Sequence, residues 1–200
     1  MTIAVLADDD QWLELTSTTA VVHFVRIRQA VLPVPIADAY LVLQPVDSAW
    51  LLQLKQPVLL NEVIGVLSVM GLPQNVIRIN GWHGFLQRPV WEYAGIPNEK
   101  LEAVFTALQK KGIPVADEPG LVAARSIAMI INEAYYALQD GVSSKTDIDT
   151  AMKLGTNYPY GPFEWANKIG LLPIYQLLLQ LSKTDNRYTI CTALQNEITL

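Results

Sequence analysis

The sequence predicts an α/β domain with a mostly parallel sheet, followed by an all-α domain. The first half alternates short β-branched runs with stretches of helical spacing, which is typical of a parallel sheet covered by helices. The predicted strands are apolar throughout rather than alternating, as expected where both faces of a sheet are covered. From Leu121 to Leu200 only helical patterns follow. We therefore predict two domains, residues 1–117 and 118–200, with a boundary near Asp117–Gly120.

Seven runs in the first half are predicted strands: Thr2–Ala7, Ala20–Val25, Ala39–Leu43, Pro57–Leu60, Val76–Asn80, Pro89–Tyr93 and Ile113–Val115. Helical spacing is found between them at Ser48–Lys55 and at Pro97–Lys111, where Gly112 ends the second helix. Because strands and helices alternate in this way, most neighbouring strands are expected to run parallel.

The second half is predicted to be a set of helices with clear start and stop residues. Leu121–Gln139 is apolar on most faces and ends before Gly141, so we expect it to be buried on several sides. Ser144 is a predicted N-cap, with Asp147 three residues later, and Gly155 is predicted to take the left-handed C′ position. Further helices are predicted to begin at Pro162 and to span Gly170–Ser182 and Tyr188–Ile198.

Composition excludes several classes of protein. Hydrophobic residues make up 51% of the chain and the mean hydropathy is +0.24, which suggests extra buried surface such as a subunit interface. The net charge of −5 and the lack of a basic cluster argue against nucleic-acid binding. A single cysteine, Cys191, fits a reducing cytoplasm. The acidic start MTIAVLADDD is not that of a signal peptide, and no apolar run approaches the ~20 residues of a membrane span.

One segment carries a family resemblance. Asp147–Gly170, DIDTAMKLGTNYPYGPFEWANKIG, resembles a signature of the 3-hydroxyacyl-CoA dehydrogenase family, and the similarity continues upstream through Glu118-Pro119-Gly120 and Ile131–Ala134. The resemblance extends from about Pro57 to about Leu172. It implies a Rossmann domain that binds NAD, and a helical C-terminal domain that builds a homodimer and closes over the acyl chain. The expected fold is thus a truncated Rossmann-like domain followed by a helical dehydrogenase C-terminal-like domain.

The expected nucleotide-binding turn is absent from the sequence. In a Rossmann domain the first strand leads into G-x-G-x-x-G, whose amides hold the pyrophosphate at a helix N-terminus. Here Ile3–Leu6 leads into Asp8-Asp9-Asp10, and the first glycine of the chain is Gly65. At an effective dielectric constant near 20, two like charges ~4 Å apart repel each other by ~4 kcal/mol. Three carboxylates at this turn would therefore repel the phosphates of a nucleotide. We predict that Asp8–Asp10 cap a short helix, with a metal site as the alternative, and that no cofactor binds.

The family's catalytic pair is also altered. The resemblance implies a histidine that takes the substrate's hydroxyl proton and a glutamate that fixes its tautomer. The segment Arg78–Tyr93 corresponds to the strand-loop-strand that carries the pair, and in an ungapped alignment Glu92 matches the glutamate while Asn80 matches the histidine. Asn80 is not a base. His83, three residues later, is the alternative candidate and requires a rearranged loop.

The resemblance also assigns residues that contact substrate. The family's serine corresponds to Val63 and its helix asparagine to Ala124, whereas the signature of the C-terminal domain is kept. The candidate substrate-binding residues are Asn80, Ala124, Tyr158, Pro159 and Gly161. A surviving ligand cleft is expected between the domains, bounded by 80–85, 123–127 and 158–163. The arginines Arg78, Arg88 and Arg125 are predicted to be solvated or salt-bridged, with contact to CoA phosphates as the alternative.

Three functions follow from these residues. The leading hypothesis is a non-catalytic, dimeric relative of 3-hydroxyacyl-CoA dehydrogenase that keeps an acyl-CoA cleft. The second is an active NAD-dependent dehydrogenase of fatty-acid metabolism in which His83 serves as a displaced base. The third is a subunit that complements a separate protein supplying the missing nucleotide-binding half. No membrane partner is expected.

Overall fold

A computed structural model describes residues 1–17 and 21–199 and divides the chain into two compact units, residues 1–121 and 122–200. Ala20, the first residue of the second predicted strand, lies outside the described residues. None of the helices in the described ranges is both long enough and apolar enough to cross a membrane.

The first unit is built on a seven-stranded sheet, which confirms the predicted mostly parallel sheet. The strands are β1 (Thr2–Leu6), β2 (His23–Ile27), β3 (Ala39–Val42), β4 (Val58–Asn61), β5 (Val76–Ile79), β6 (Val90–Ala94) and β7 (Lys111–Pro114). Their order in the sheet is β2-β1-β3-β4-β5-β6-β7. Only the β5–β6 pair is antiparallel among these strands. Since β1 lies between β2 and β3, the strand order reverses there and creates a switch point of the doubly wound type.

The helices of the first unit are short, and the connection between β2 and β3 contains no helix. They are α1 (Asp9–Thr16), α2 (Ser48–Leu51), α3 (Leu67–Met70) and α4 (Glu99–Ala107). Residues 28–38, all of them described, lead from β2 to β3 without a helix or a strand. The central strands still bury side chains in two apolar clusters, one containing Leu41 and Ile77 and the other containing Tyr40 and Val76. Alternate residues thus face opposite layers, which explains the continuous apolar runs in the sequence.

The second unit is helical, as predicted. It contains α5 (Ala123–Gln139), α6 (Lys145–Thr156), α7 (Pro162–Ile169), α8 (Leu171–Ser182), a 3₁₀ turn (Asn186–Tyr188) and α9 (Thr192–Thr199). The prediction that Gly155 ends α6 is wrong, because the helix continues to Thr156. Asn157 caps the helix in the left-handed conformation, with φ 56°. Asparagine tolerates this conformation better than most residues, so no glycine is needed.

A buried asparagine joins α5 to the segment before α9. Asn132 is 2% exposed, and its Nδ2 donates to the Thr189 carbonyl at 2.8 Å while its Oδ1 accepts from the Cys191 amide at 2.9 Å. The side chain thereby satisfies two backbone groups that have no partner within a helix. These two hydrogen bonds, rather than a ligand, explain the position of Asn132 on the apolar helix α5.

Candidate functional site

The segment after β1 is closed by its own carboxylate rather than by a glycine turn. Asp8 is the N-cap of α1, and its Oδ1 accepts from the Gln11 amide at 2.8 Å. The Gln11 side chain accepts in return from the Asp8 amide, which completes a capping box. The prediction that these acidic residues cap a short helix is confirmed. The N-terminus of α1 therefore already holds an anion of the protein itself.

Four polar side chains, which we call the edge network, come from the segments that follow β1, β3 and β5: Asp8, Gln11, Gln44 and His83. Gln11 Nε2 donates to the Leu43 carbonyl at 3.3 Å and to the Gly81 carbonyl at 3.0 Å. Gln44 Nε2 lies 3.0 Å from Asp8 Oδ2 and 2.6 Å from Gln11 Oε1. His83 Nε2 lies 3.3 Å from Asp8 Oδ2. Both carboxylate oxygens of Asp8 thus have polar partners within the protein.

Neighbouring contacts extend this arrangement toward β2. Asp9 Oδ1 pairs with Arg26 Nη2 at 2.5 Å, and the Arg26 guanidinium lies 5.3 Å from the centre of the Trp12 ring. The hydrogen bond and the charge of Arg26 lower the pKa of Asp9. On the opposite side the Gly84 amide donates to Glu14 Oε1 at 2.6 Å. The first two turns of α1 are therefore bound to β2 and to the loop after β5.

Asn80 and Glu92 are each the chain neighbour of a residue in the last pair of the β5–β6 register. In this antiparallel pair Arg78 faces Ala94 and Ile79 faces Tyr93; Asn80 follows Ile79 along the chain, and Glu92 precedes Tyr93. These two residues were the ones aligned with the family's catalytic pair. His83 lies instead beside Asp8, at the far side of the loop.

Asn80 is 7% exposed, and of the two polar atoms of its side-chain amide only the oxygen has a hydrogen-bond partner among the described residues. Its Oδ1 accepts from the Trp82 amide at 3.2 Å, which is an Asx-type turn. Its Nδ2 is buried and has no hydrogen-bond partner among the described residues. A carboxamide of this kind positions a donor but does not take up a proton.

Arg78 is structural. It is fully buried, its Nη1 pairs with Asp117 Oδ1 at 2.5 Å, and its Nε donates to the Glu62 carbonyl at 2.8 Å. Burial acts to raise the pKa of Asp117, but the hydrogen bonds from Arg78 and from the Leu67 and Ser68 amides outweigh it, so the pKa is lowered. The predicted salt-bridged role of Arg78 is confirmed, and its guanidinium is not available to a CoA phosphate.

The signature of the second unit has a geometric explanation. The carboxylate of Asp149, on α6, accepts from the Phe163 amide at 2.8 Å and the Glu164 amide at 3.2 Å, both in the first turn of α7. A Cβ on Gly161 would lie 2.3 Å from Asp149 Oδ1, so only glycine fits there. Pro162 occupies the first position of α7, as predicted.

Sequence reasoning did not single out Asp149. The available signal was an acidic residue inside the signature that precedes a Gly-Pro helix start, but nothing local shows that it caps another helix. The contact between Lys153 and Glu164, whose hydrogen bond lowers the pKa of Glu164, is a second link between α6 and α7 that the sequence pattern did not reveal.

The other candidate substrate-binding residues differ in exposure. Tyr158 is 38% exposed and Pro159 is exposed, so their side chains are available to a ligand. Ala124 lies buried in the first turn of α5, and Gly161 is buried against Asp149. The described residues contain no group of three or more His, Cys, Asp or Glu side chains able to hold a metal ion.

An apolar groove lies on the second unit between α5 and α6. It has a volume of about 230 Å³ and is lined by Ile130, Glu133, Ala134, Ala137, Ile148, Met152 and Pro162. Ile130, Ala137 and Met152 are half-buried, so the groove offers apolar surface that the second unit does not itself cover.

Comparisons with known proteins match the second unit and, for the relatives, part of the first unit as well. The family model described as "3-hydroxyacyl-CoA dehydrogenase, C-terminal domain" matches residues 120–198. The 3-hydroxyadipyl-CoA dehydrogenase of Escherichia coli K12 is 44% identical over 109 residues, which cover 52% of this chain and 23% of that protein. The mitochondrial hydroxyacyl-coenzyme A dehydrogenase of Homo sapiens is 42% identical over 115 residues, covering 53% of this chain and 37% of that protein. The chain thus spans well under half the length of either relative.

Solved structures agree on the fold. The (S)-3-hydroxybutyryl-CoA dehydrogenase of Ralstonia eutropha superposes with a TM-score of 0.73 over 99% of this chain and 93% of that chain, at 18% identity. A 3-hydroxybutyryl-CoA dehydrogenase of Escherichia coli K12 superposes with a TM-score of 0.59 at 35% identity, covering 70% of this chain and 31% of that chain. The first similarity is one of fold, since its identity is low. Residues 120–198 thus match the C-terminal domain of the 3-hydroxyacyl-CoA dehydrogenase family, and the relatives with which the chain shares sequence identity are named as dehydrogenases of this kind.

Proposed function

We propose that this protein binds acyl-CoA thioesters without oxidising them. The observation that carries the proposal is Asn80, a buried carboxamide directly after β5, at the position aligned with the family's histidine. The relatives are named as dehydrogenases of 3-hydroxyacyl-CoA compounds, and that reaction removes a hydroxyl proton together with a hydride. An amide does not accept this proton, and a positioned general base is typically worth about 10²–10⁴-fold in rate.

The proposed CoA ligand is supported by the position of the family match. The helical unit carries that match and contains the Asp149–Gly161 contact that shapes the start of α7. Tyr158 and Pro159, in the turn before that helix, expose apolar surface to solvent. The β1–α1 segment, by contrast, has no glycine turn to hold a nucleotide.

Calorimetry with butyryl-CoA, acetoacetyl-CoA and palmitoyl-CoA tests the ligand. We expect measurable heat with at least one of these, and a weaker affinity for Tyr158→Ser. Leu154→Ser is the matched control, because Leu154 is 84% exposed on α6. No heat at millimolar ligand, or equal affinities in the wild type and Tyr158→Ser, contradicts the proposed ligand or the role of this turn.

A second candidate function has one observation in its favour. His83 lies 3.3 Å from the Asp8 carboxylate, and a histidine held by a carboxylate is a common form of general base. In this alternative the chain is an NAD-dependent dehydrogenase with a displaced base. NADH oxidation with acetoacetyl-CoA at high protein concentration separates the two functions. We expect no turnover, whereas turnover that disappears in His83→Ala and persists in Asn80→Ala establishes the alternative.

The same proposal includes a homodimer formed through α5. Support comes from the 51% hydrophobic content of the chain and from the apolar groove between α5 and α6. Obligate interfaces commonly bury more than about 2,000 Å² of largely apolar surface. Light scattering is expected to give about twice the chain mass of 22.2 kDa. Ile130→Glu should shift the mass toward the monomer, while Ser126→Glu, an exposed position of the same helix, should not.

A further inference from the structure

We infer that the edge network closes the nucleotide crevice of the first unit, so that this chain excludes a dinucleotide from it. In doubly wound sheets a nucleotide binds outside the carboxyl ends of the strands, at the point where strand order reverses. That point lies here between β1 and β3. Asp8 follows β1, and Gln44 follows β3, so both belong to the crevice edge.

Two of the amides that a pyrophosphate would use already have acceptors within the protein. A pyrophosphate would bind amides at the N-terminus of α1, where the Gln11 amide donates to the Asp8 carboxylate at 2.8 Å and the Asp8 amide to Gln11 Oε1 at 3.4 Å. Its negative charge would also meet Asp8 and Asp9 directly. The residues at this edge therefore do not fit the phosphates of NAD, and the family's cofactor has no matching cradle in this unit.

The closure spans the crevice rather than lining one side of it. Gln11 is 3% exposed and reaches the carbonyls of Leu43, after β3, and of Gly81, after β5. Gln44 bonds to Asp8 and Gln11 from the other side. Opening the crevice would break these bonds at the same time, which is unfavourable. The Gly81 carbonyl would lose its bond from Gln11, whereas the Leu43 carbonyl would keep a second bond, from Asn61 Nδ2 at 3.1 Å.

The loop after β5 is fixed in the closed position by tight packing. A Cβ on Gly81 would lie 2.9 Å from both the Asn61 Cβ and the Leu43 Cδ2, so the backbone is in direct contact with the ends of β3 and β4. The Gly81 amide donates to Asn61 Oδ1 at 2.9 Å, and His83 then reaches Asp8. The loop and α1 are thus held against each other from both sides of the crevice.

Amide hydrogen exchange and NADH fluorescence test the closure on the full chain. In the double variant Gln11→Ala/Gln44→Ala we expect amides of 81–84 to exchange at least tenfold faster, with amides of β4 unchanged. Gln53→Ala, an exposed glutamine on the same unit, should leave both sets unchanged. For the wild type we expect no change in NADH fluorescence up to millimolar protein.

Three results would overturn the inference. They are wild-type binding of NADH, unchanged exchange at 81–84 in a folded double variant, and an equal loss of protection in β4, which would indicate a general loss of stability. If the double variant does not fold, the single variant Gln44→Ala gives the same comparison, since Gln44 is only half-buried. The inference does not rest on acyl-CoA binding, so a failure of calorimetry with acyl-CoA leaves it untouched.

Discussion

Replacing Gly161 by alanine should strongly destabilise the helical unit. The added Cβ would lie 2.3 Å from Asp149 Oδ1 and 2.4 Å from the Asp149 Cβ and Cγ. These distances are far below van der Waals contact, and the crowded atoms include a Cβ fixed to the backbone of α6. Relief therefore requires Asp149 or the start of α7 to move.

The cost follows from what that movement breaks. Asp149 accepts from the Phe163 amide at 2.8 Å and from the Glu164 amide at 3.2 Å. Hydrogen bonds to charged groups contribute about 1.5–3 kcal/mol each, and overpacking of a core typically costs about 1–3 kcal/mol. Breaking the hydrogen bonds relieves the steric strain, so the cost of the lost bonds and the cost of overpacking are not fully additive. We expect Gly161→Ala to lower the free energy of unfolding by about 3 kcal/mol.

Gly155→Ala is the matched control. A Cβ at Gly155 meets nothing within 4 Å, and the residue lies inside α6, where alanine is favoured over glycine by about 1 kcal/mol. The two glycine-to-alanine changes should thus have opposite signs in urea unfolding monitored by circular dichroism. In an Asp149→Gly background the cost of Gly161→Ala should largely disappear. A change of less than 0.5 kcal/mol for Gly161→Ala, roughly the size of a neutral surface substitution, would refute the steric argument.

Two further predictions concern the first unit. Arg78→Met should lower the free energy of unfolding by about 3–5 kcal/mol, as for other broken buried ion pairs, and chemical denaturation measures it. Because the folded pKa of Asp117 is lowered, its contribution is complete above the unfolded value of about 3.9 and is lost as pH falls through the folded value. Asp117→Asn should therefore destabilise the protein at pH 7 and flatten the acid limb of its stability curve, and an unchanged acid limb would count against this role.

The elements of the fold were largely predictable because their signals are local. Each of the seven apolar runs became a strand, and Ser144 became the N-cap of α6 with its side chain accepting from the Asp147 amide. The short helix α3 was not predicted, since Leu67–Met70 lies in an apolar run that fits strand and helix equally. The end of α6 was misplaced because Asn157 competes with Gly155 for the left-handed position.

The candidate site was predictable only where its contacts are close in sequence. The Asp8 cap on Gln11 is a three-residue pattern, so the acidic run was interpreted correctly. The approach of His83 to Asp8 joins two distant loops through the sheet order, and no spacing rule reveals it. The Asp149 contact with α7 likewise depends on how two helices pack.

The environment of Asn80 bears on whether one substitution could restore catalysis. Its Oδ1 holds the Trp82 amide at 3.2 Å and so shapes the turn that leads to His83. A histidine would give up this Asx-type bond, and it would meet a crevice already occupied by the edge network. Orientation of the reactants can lower the activation free energy by about 7–11 kcal/mol. A histidine base at position 80, without an oriented cofactor, would therefore increase the rate little. We therefore expect Asn80→His to show no NADH oxidation with acetoacetyl-CoA and a lowered melting temperature. Measurable turnover in this variant would mean that the crevice opens to a dinucleotide in solution.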